Sequence, residues 1–416
     1  MFGLRIKYYC VLICVLLGCI FACSKKTQFI NNGKIPIINW DNVNMKDTFL
    51  YSTIFDSVRI IMLNNDSVLI GSIDKMQPYD DELFVLDSQK VKGLFVFSKD
   101  GCFIRRIGNV GDAPNEYRDC SDFTINEQTE EIYIYDSNQK SIYVYALKTG
   151  VFKRSIRIKE NVQIQRIYCI DNRLYAVNTY FYPFNDADKY FILKQLDANN
   201  GKVIAQWMNS EEYNKGWKDE FMHTNLFYPI SRDRVLFSFG LSDSVMCISH
   251  GNLYPFLGFY GKSTVKSSDI TEQEKDAYVN SQVRTDMRIN AHMRLGKQHK
   301  MIAIADMYER NDILYIDCYS WQKKKLQCNL KTNEACLFAK TIDDILYSVY
   351  PSNYTLPSFL ASEENGVYYM IPNDFLPELK KMVLENNIIS QKVKNKSALK
   401  EIDEDSNPVI LYYEYK

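Results

Sequence analysis

Histidine is scarce in this chain of 416 residues. His223, His250, His292 and His299 are the only four, and no spacing among them brings ligands to one metal ion. No Cys-x-x-Cys occurs, which argues against a cysteine zinc site. Asp403-Glu404-Asp405-Ser406-Asn407 has the acidity of a calcium loop but lacks the central glycine and distal glutamate, so it reads as a solvated turn. No metal or other cofactor is expected. Excess charge is missing too: 50 basic side chains face 51 acidic ones, with no basic stripe, so nucleic acid is not an expected partner. No Walker loop, dinucleotide fingerprint, nucleophile elbow or Ser-His-Asp order appears.

Long apolar runs are absent but for Tyr8 to Ala22, which is short for a membrane span and suited to a signal segment after Arg5 and Lys7. Its end, Ile20-Phe21-Ala22-Cys23, resembles the lipobox of bacterial lipoproteins. That resemblance implies removal of residues 1–22 and a lipid on Cys23, which would hold the chain at a membrane. The plain alternative is an ordinary cleaved signal with an incidental cysteine. Ser24 after the cysteine implies the outer membrane by lipoprotein sorting rules, and Lys25-Lys26 implies its periplasmic side. Residues 23–50 are polar and read as a tether. Seven cysteines then remain, an odd number set mostly in strand patterns, which argues for core fillers over a disulfide framework. Cys328 and Cys336 could meet across a hairpin, which spacing alone does not decide.

What the chain does have is a period. Gly101, Gly150, Gly201 and Gly251 each follow a short alternating apolar run, such as Leu94-Phe95-Val96-Phe97 or Ile142-Tyr143-Val144-Tyr145. A repeat of about 50 residues with strands in every unit predicts a β-propeller. Thirty Tyr and 23 Phe suit strands. Leu83-Phe84-Val85-Leu86-Asp87 returns as Ile132-Tyr133-Ile134-Tyr135-Asp136, and Ile313-Leu314-Tyr315-Ile316-Asp317 aligns with both. Ser67 to Ile70 is read as the strand that begins the first full unit. Six units fit within 51–416, so the fold class is all-β, a six-bladed propeller with helical inserts at about 266–300 and 374–387. Thr271-x-x-Glu274 supplies a capping box for the first insert. The last unit lacks a strand, and Ser57 to Leu63 can supply it from the other end of the chain, closing the ring and removing an exposed edge.

The run from Leu94 to Gly108, followed by Gly111-Asp112-Ala113-Pro114-Asn115-Glu116-Tyr117, resembles the six-bladed β-propeller lipoproteins of Gram-negative gut anaerobes. That family carries Gly-x-Gly-Pro-Gly-Glu-Tyr here, so Gly111, Pro114, Glu116 and Tyr117 match while Ala113 and Asn115 replace glycines. Asn407-Pro408-Val409-Ile410-Leu411-Tyr412 and Ser57-Val58-Arg59-Ile60 resemble its ending and its start. The resemblance implies fold and compartment, not activity.

Candidate ligand-binding residues are therefore few. Glu116 and Tyr117 could face a ligand at the mouth of the ring, although a blade connector whose turn Pro114 fixes explains them as well. Tyr182, within the run from Asn178 to Phe184, and Tyr213 and Trp217, within Glu211 to Lys218, put aromatic faces beside amides and acids, which suits sugars or peptides. Packing between blades is the competing role for each ring. The expected function is a lipid-anchored binding or scaffold module for a glycan, a peptide or an envelope protein. The alternative is a lyase or hydrolase with its site in the central channel, since propeller active sites gather residues from several blades and leave no local motif.

Overall fold

The computed structural model describes residues 35–158, 162–179, 191–217, 225–276, 281–348, 357–371, 373–384, 389–402 and 406–416. Six antiparallel sheets form a propeller. Blade 1 is Lys75–Tyr79, Glu82–Asp87, Gly93–Ser98 and Phe103–Ile107 (β4–β7). Blade 2 is Asp122–Asn126, Glu131–Asp136, Ser141–Ala146 and Phe152–Arg157 (β8–β11). Blade 3 is Gln163–Ile170, Arg173–Thr179, Phe191–Leu196 and Val203–Asn209 (β12–β15). Blade 4 is Phe227–Ser231, Arg234–Phe237, Ser244–Ser249 and Asn252–Tyr260 (β16–β19). Blade 5 is Ala303–Arg310, Ile313–Tyr319, Lys323–Asn329 and Ala335–Ile342 (β20–β23). Blade 6 joins Ser358–Glu363, Gly366–Met370 and Val409–Tyr415 (β24–β26) to Phe55–Met62 (β3) from the other end of the chain. The closing pair runs from Val409 opposite Met62 to Tyr415 opposite Phe55.

Strand alternation explains why the repeats read as unbroken apolar runs. Successive side chains point to opposite faces, and both faces of a blade are buried against neighbours. Phe84 and Leu86 enter the wedge shared with blade 2, while Leu83 and Val85 enter the wedge shared with blade 6. Ile132 and Ile134 face blade 1, while Tyr133 and Tyr135 face blade 3.

The periodic glycines sit in the turns between third and fourth strands. Gly101 has φ +89°, and a Cβ there would lie 2.1 Å from the Met62 carbonyl oxygen of blade 6. Gly201 has φ +72°, with the Arg157 carbonyl of blade 2 at 2.7 Å from such a Cβ. The turns at Gly101 and Gly201 lean on the outer strand of the preceding blade, so there backbone conformation and close approach both call for glycine. The 49-residue repeat extends to polar side chains. Arg105 grips Glu82 through two bonds of 2.6 and 2.8 Å, and Arg154 grips Glu131 at 2.6 and 3.0 Å. Buried Asp87 accepts the N–H groups of Gly71 and Lys90, and buried Asp136 those of Arg118 and Gln139, pinning the chain that enters each blade.

Three sequence expectations need correction. The tether assigned to 23–50 ends earlier. Ile37–Asn39 (β1) adds in parallel to the outer strand of blade 4, and Asn44–Leu50 (β2) adds to that of blade 5. Ile38, Trp40 and Phe49 are buried there, and this apolar burial holds the segment on the rim. Ser67 to Ile70 is not a strand. The Asn407 side chain accepts the Ile70 N–H and donates to the Leu63, Asn64 and Val68 carbonyls, holding this stretch as a loop, and the first strand of blade 1 is Lys75–Tyr79. Asp317 is displaced by one position from Asp87. Glu82 follows its hairpin turn opposite Tyr79 as Ile313 does opposite Arg310, so Asp317 takes the place of Leu86 and faces the opposite side.

Between blades 4 and 5 the chain forms Glu272–Asp276 and Ser281–Lys297, the latter labelled α1. Thr271 and Glu274 exchange hydrogen bonds at the start of the first helix. Leu376–Leu384 (α2) lies between the second and third strands of blade 6. No described helix is long and apolar enough to cross a membrane. Cys328 and Cys336 are both free.

Candidate binding site at the channel mouth

The first strands β4, β8, β12, β16, β20 and β24 surround the axis. Between them lies a cavity of about 590 Å³ with residues from all six blades in its wall. Glu127, Arg232, Asn311 and Glu364 line it from the turns that follow the first strands, so it opens on the face carrying those turns. The helical inserts follow fourth or second strands, whose ends reach the opposite face.

At the start of β4, farthest from the mouth, Lys75 extends toward blades 2 and 3. Its Nζ lies 3.0 Å from Asp122 Oδ1 and bonds the Phe123 carbonyl at 2.6 Å and the Ile167 carbonyl at 3.1 Å. Burial lowers the Lys75 pKa, against the opposing charge of Asp122. Three donors meet three acceptors, so this ammonium ties three blades together and has no proton left for a ligand.

Nearer the mouth the wall is mixed. Tyr168 and Phe227 stack with centroids 4.9 Å apart and 21° between planes. Met76, Pro78, Leu226, Pro229, Ile230, Phe359 and Leu360 add apolar surface, while Arg166, Arg232, Glu127, Glu309 and Glu364 bring both signs of charge. Glu309 Oε2 is buried without a hydrogen-bond partner among the described residues. Burial raises its pKa, with the Arg234 charge opposing. A carboxyl left unsatisfied in a cleft is a ready partner for a ligand polar group. No cluster of three His, Cys, Asp or Glu able to hold a metal occurs among the described residues.

None of the described candidates from the sequence lines this cavity. Tyr117 is fully buried and donates its hydroxyl to the Ile107 carbonyl at 3.0 Å, so it is part of the core. The Glu116 carboxylate lies over Gly111 and accepts the Ala113 N–H at 3.2 Å, closing its own loop. Trp217, 1 % exposed, packs against Leu241, Ile270, Ala291 and Leu295, and its assignment to a ligand is withdrawn with that of Tyr117. Tyr213 is half-buried against the wedge of blades 3 and 4, and burial pushes its pKa up to about 12. Cys23 and Tyr182 lie outside the described residues, as does the acidic run from Asp403 to Asp405.

Arg166, Tyr168, Phe227 and Glu309 were not singled out from the sequence. The 50-residue pattern marks third strands, whereas these residues lie on first strands. A usable signal was present: paired Asx residues with positive φ, Asp171-Asn172 and Asn311-Asp312, sit in the turns that end first strands.

In fold the protein is similar to the crystal structure of a Bacteroides fragilis protein provisionally described as exported, at 17 % identity and TM-score 0.69, covering 91 % of this chain and 99 % of that one. A member of the DUF4221 family from Bacteroides vulgatus matches at 12 % identity and TM-score 0.48, covering 87 % of this chain and 97 % of that one. No curated protein matches the chain in sequence. The family model for DUF4934, a domain of unknown function, matches residues 35–414, and the chain, itself a six-bladed propeller, belongs to that family.

Proposed function

We propose that this protein is an exported, lipid-anchored binding module of the cell envelope that holds a peptide segment of a partner protein in its channel mouth. The mixed wall around the Tyr168–Phe227 stack carries this reading. A peptide offers apolar side chains, both signs of charge and backbone amides together, and the wall offers complements to each. A glycan would leave the accessible apolar surface of Pro78, Pro229 and Ile230 without partners. Anchoring is supported by the lipobox-like end of the signal segment, and export by that segment and by likeness in fold to a protein provisionally described as exported. The residues after Cys23 favour the periplasmic side of the outer membrane.

Two experiments test this. The purified mature chain, applied to arrays of envelope-protein peptides, is expected to retain a defined set, and Tyr168→Ala or Arg166→Ala to lose it while folding normally. Retention of glycans in place of peptides would overturn the ligand class. Turnover of a substrate, abolished by Glu309→Gln, would make the protein an enzyme. For the anchor, Cys23→Ser is expected to release the chain from the membrane fraction; continued association would refute it.

A further inference from the structure

The described chain enters the fold beside an exposed apolar stripe. Asp41 accepts the N–H groups of Lys262 and Ser263, and Ser263 accepts that of Met301 just beyond α1. On α1, Ile289 and Met293 are 50 % and 42 % exposed and share one face at i, i+4 spacing. One turn further on, Gly296 meets the ring of Trp321, where a Cβ would lie 3.1 Å away. Trp321 is 52 % exposed on the loop between β21 and β22. Lys262, Lys266 and Lys297 are exposed around this stripe.

We propose that this face, centred on Ile289, Met293 and Trp321, rests on the lipid bilayer. The proposal depends on the Cys23 anchor. Residues 24–34 can reach at most about 40 Å when fully extended. A domain of this size has a radius of gyration of about 20 Å. The rim of blades 4 and 5 is therefore held near the membrane, and the stripe beside it has the composition of an interfacial surface: an aromatic ring, aliphatic side chains and lysines. Loops between second and third strands share this face with the inserts, whereas the channel mouth opens on the other. Docking here points the channel mouth away from the bilayer.

The chain contains four tryptophans, and Trp40, Trp207 and Trp217 are all buried, so Trp321 reports on this face. The test uses the full lipidated protein in phosphatidylethanolamine and phosphatidylglycerol vesicles with brominated acyl chains. Expected is co-flotation with the vesicles together with quenching of a fluorescence component that Trp321→Phe removes. The pair Ile289→Asp and Met293→Asp is expected to float equally but lose the quenching. Flotation with Trp321 unquenched would overturn the docking and leave the anchor standing. Failure to float would overturn the anchor, and the docking with it.

Discussion

Blades 1 and 2 bury an aspartate on the second strand in one way, and blade 5 does so in another. Asp87 and Asp136 accept backbone N–H groups from the chain entering and turning within their blades. Asp317 occupies a core-facing position and is paired instead with two lysines, Lys325 directly across the strand pair and Lys323 at 2.6 Å. Burial alone would raise the Asp317 pKa, but the Lys323 and Lys325 charges hold it below the usual range. In the first arrangement the carboxylate organises loops. In the second it neutralises the buried ammonium of Lys325, which would otherwise lie unpaired, so its removal does more harm than its presence does good.

The largest expected effect follows from that difference. Asp317→Ala should destabilise the protein by about 3–5 kcal/mol in urea unfolding, because the ammonium of Lys325 is left uncompensated. The triple replacement Asp317→Leu, Lys323→Met, Lys325→Met should recover most of the loss. If the single and triple variants are equally unstable, the ion-pair account fails. Next comes Gly101→Ala. Positive φ and the nearby Met62 carbonyl should make it cost more than about 1 kcal/mol, whereas Asn333→Gly at φ +58° in the equivalent turn of blade 5 should change stability by only a few tenths. Asp87→Asn leaves one of its two oxygens unable to accept and should cost about 1–2 kcal/mol, below Asp317→Ala, by the same measurement. Equal losses at the two aspartates would erase the distinction between blades.

The blade 5 to blade 6 connection adds a pH term. Asp343 accepts the Ile345 and Leu346 N–H groups and the Tyr413 hydroxyl of the closing strand. Burial raises its pKa to about 6. A carboxyl whose folded pKa lies above its unfolded value favours folding in its protonated form, so its contribution is complete below about pH 4. It is lost as pH rises through about 6. Urea midpoints should therefore fall between pH 4 and 7 relative to Asp343→Asn, and parallel profiles for the two chains would count against this assignment. The smallest effect is expected at the insert, where Thr271→Ala should remove about 1 kcal/mol of helix capping without altering the blades.

The same division explains what was legible in the sequence. Third strands and their glycine turns stand out because both faces of those strands are buried and the turns need positive φ. The ring closure by Ser57 to Leu63 was legible for a related reason: an unpaired outer strand was needed and an apolar run was available. First strands were not legible. Lys75-Met76-Gln77-Pro78-Tyr79 faces a channel on one side, so it lacks the apolar run that would reveal it, whereas Ser67 to Ile70 has a short apolar run without being a strand. The candidate site shared that fate, because Arg166, Tyr168, Phe227 and Glu309 come together only when blades 3, 4 and 5 close around the axis. The aromatic residues Tyr117 and Trp217 stand out by composition, but Tyr117 is buried in the wedge of blades 1 and 2 and Trp217 beneath the helical insert.

Under the proposed function the protein works through its channel mouth and the outer strands are scaffold. A photo-reactive phenylalanine analogue placed at Tyr168, and separately at exposed Val151 next to β11, tests it in living cells. Cross-linking to one discrete polypeptide from position 168, absent from position 151 and competed by the array-selected peptide, is the expected result. Cross-linking from position 151 with none from position 168 would contradict it.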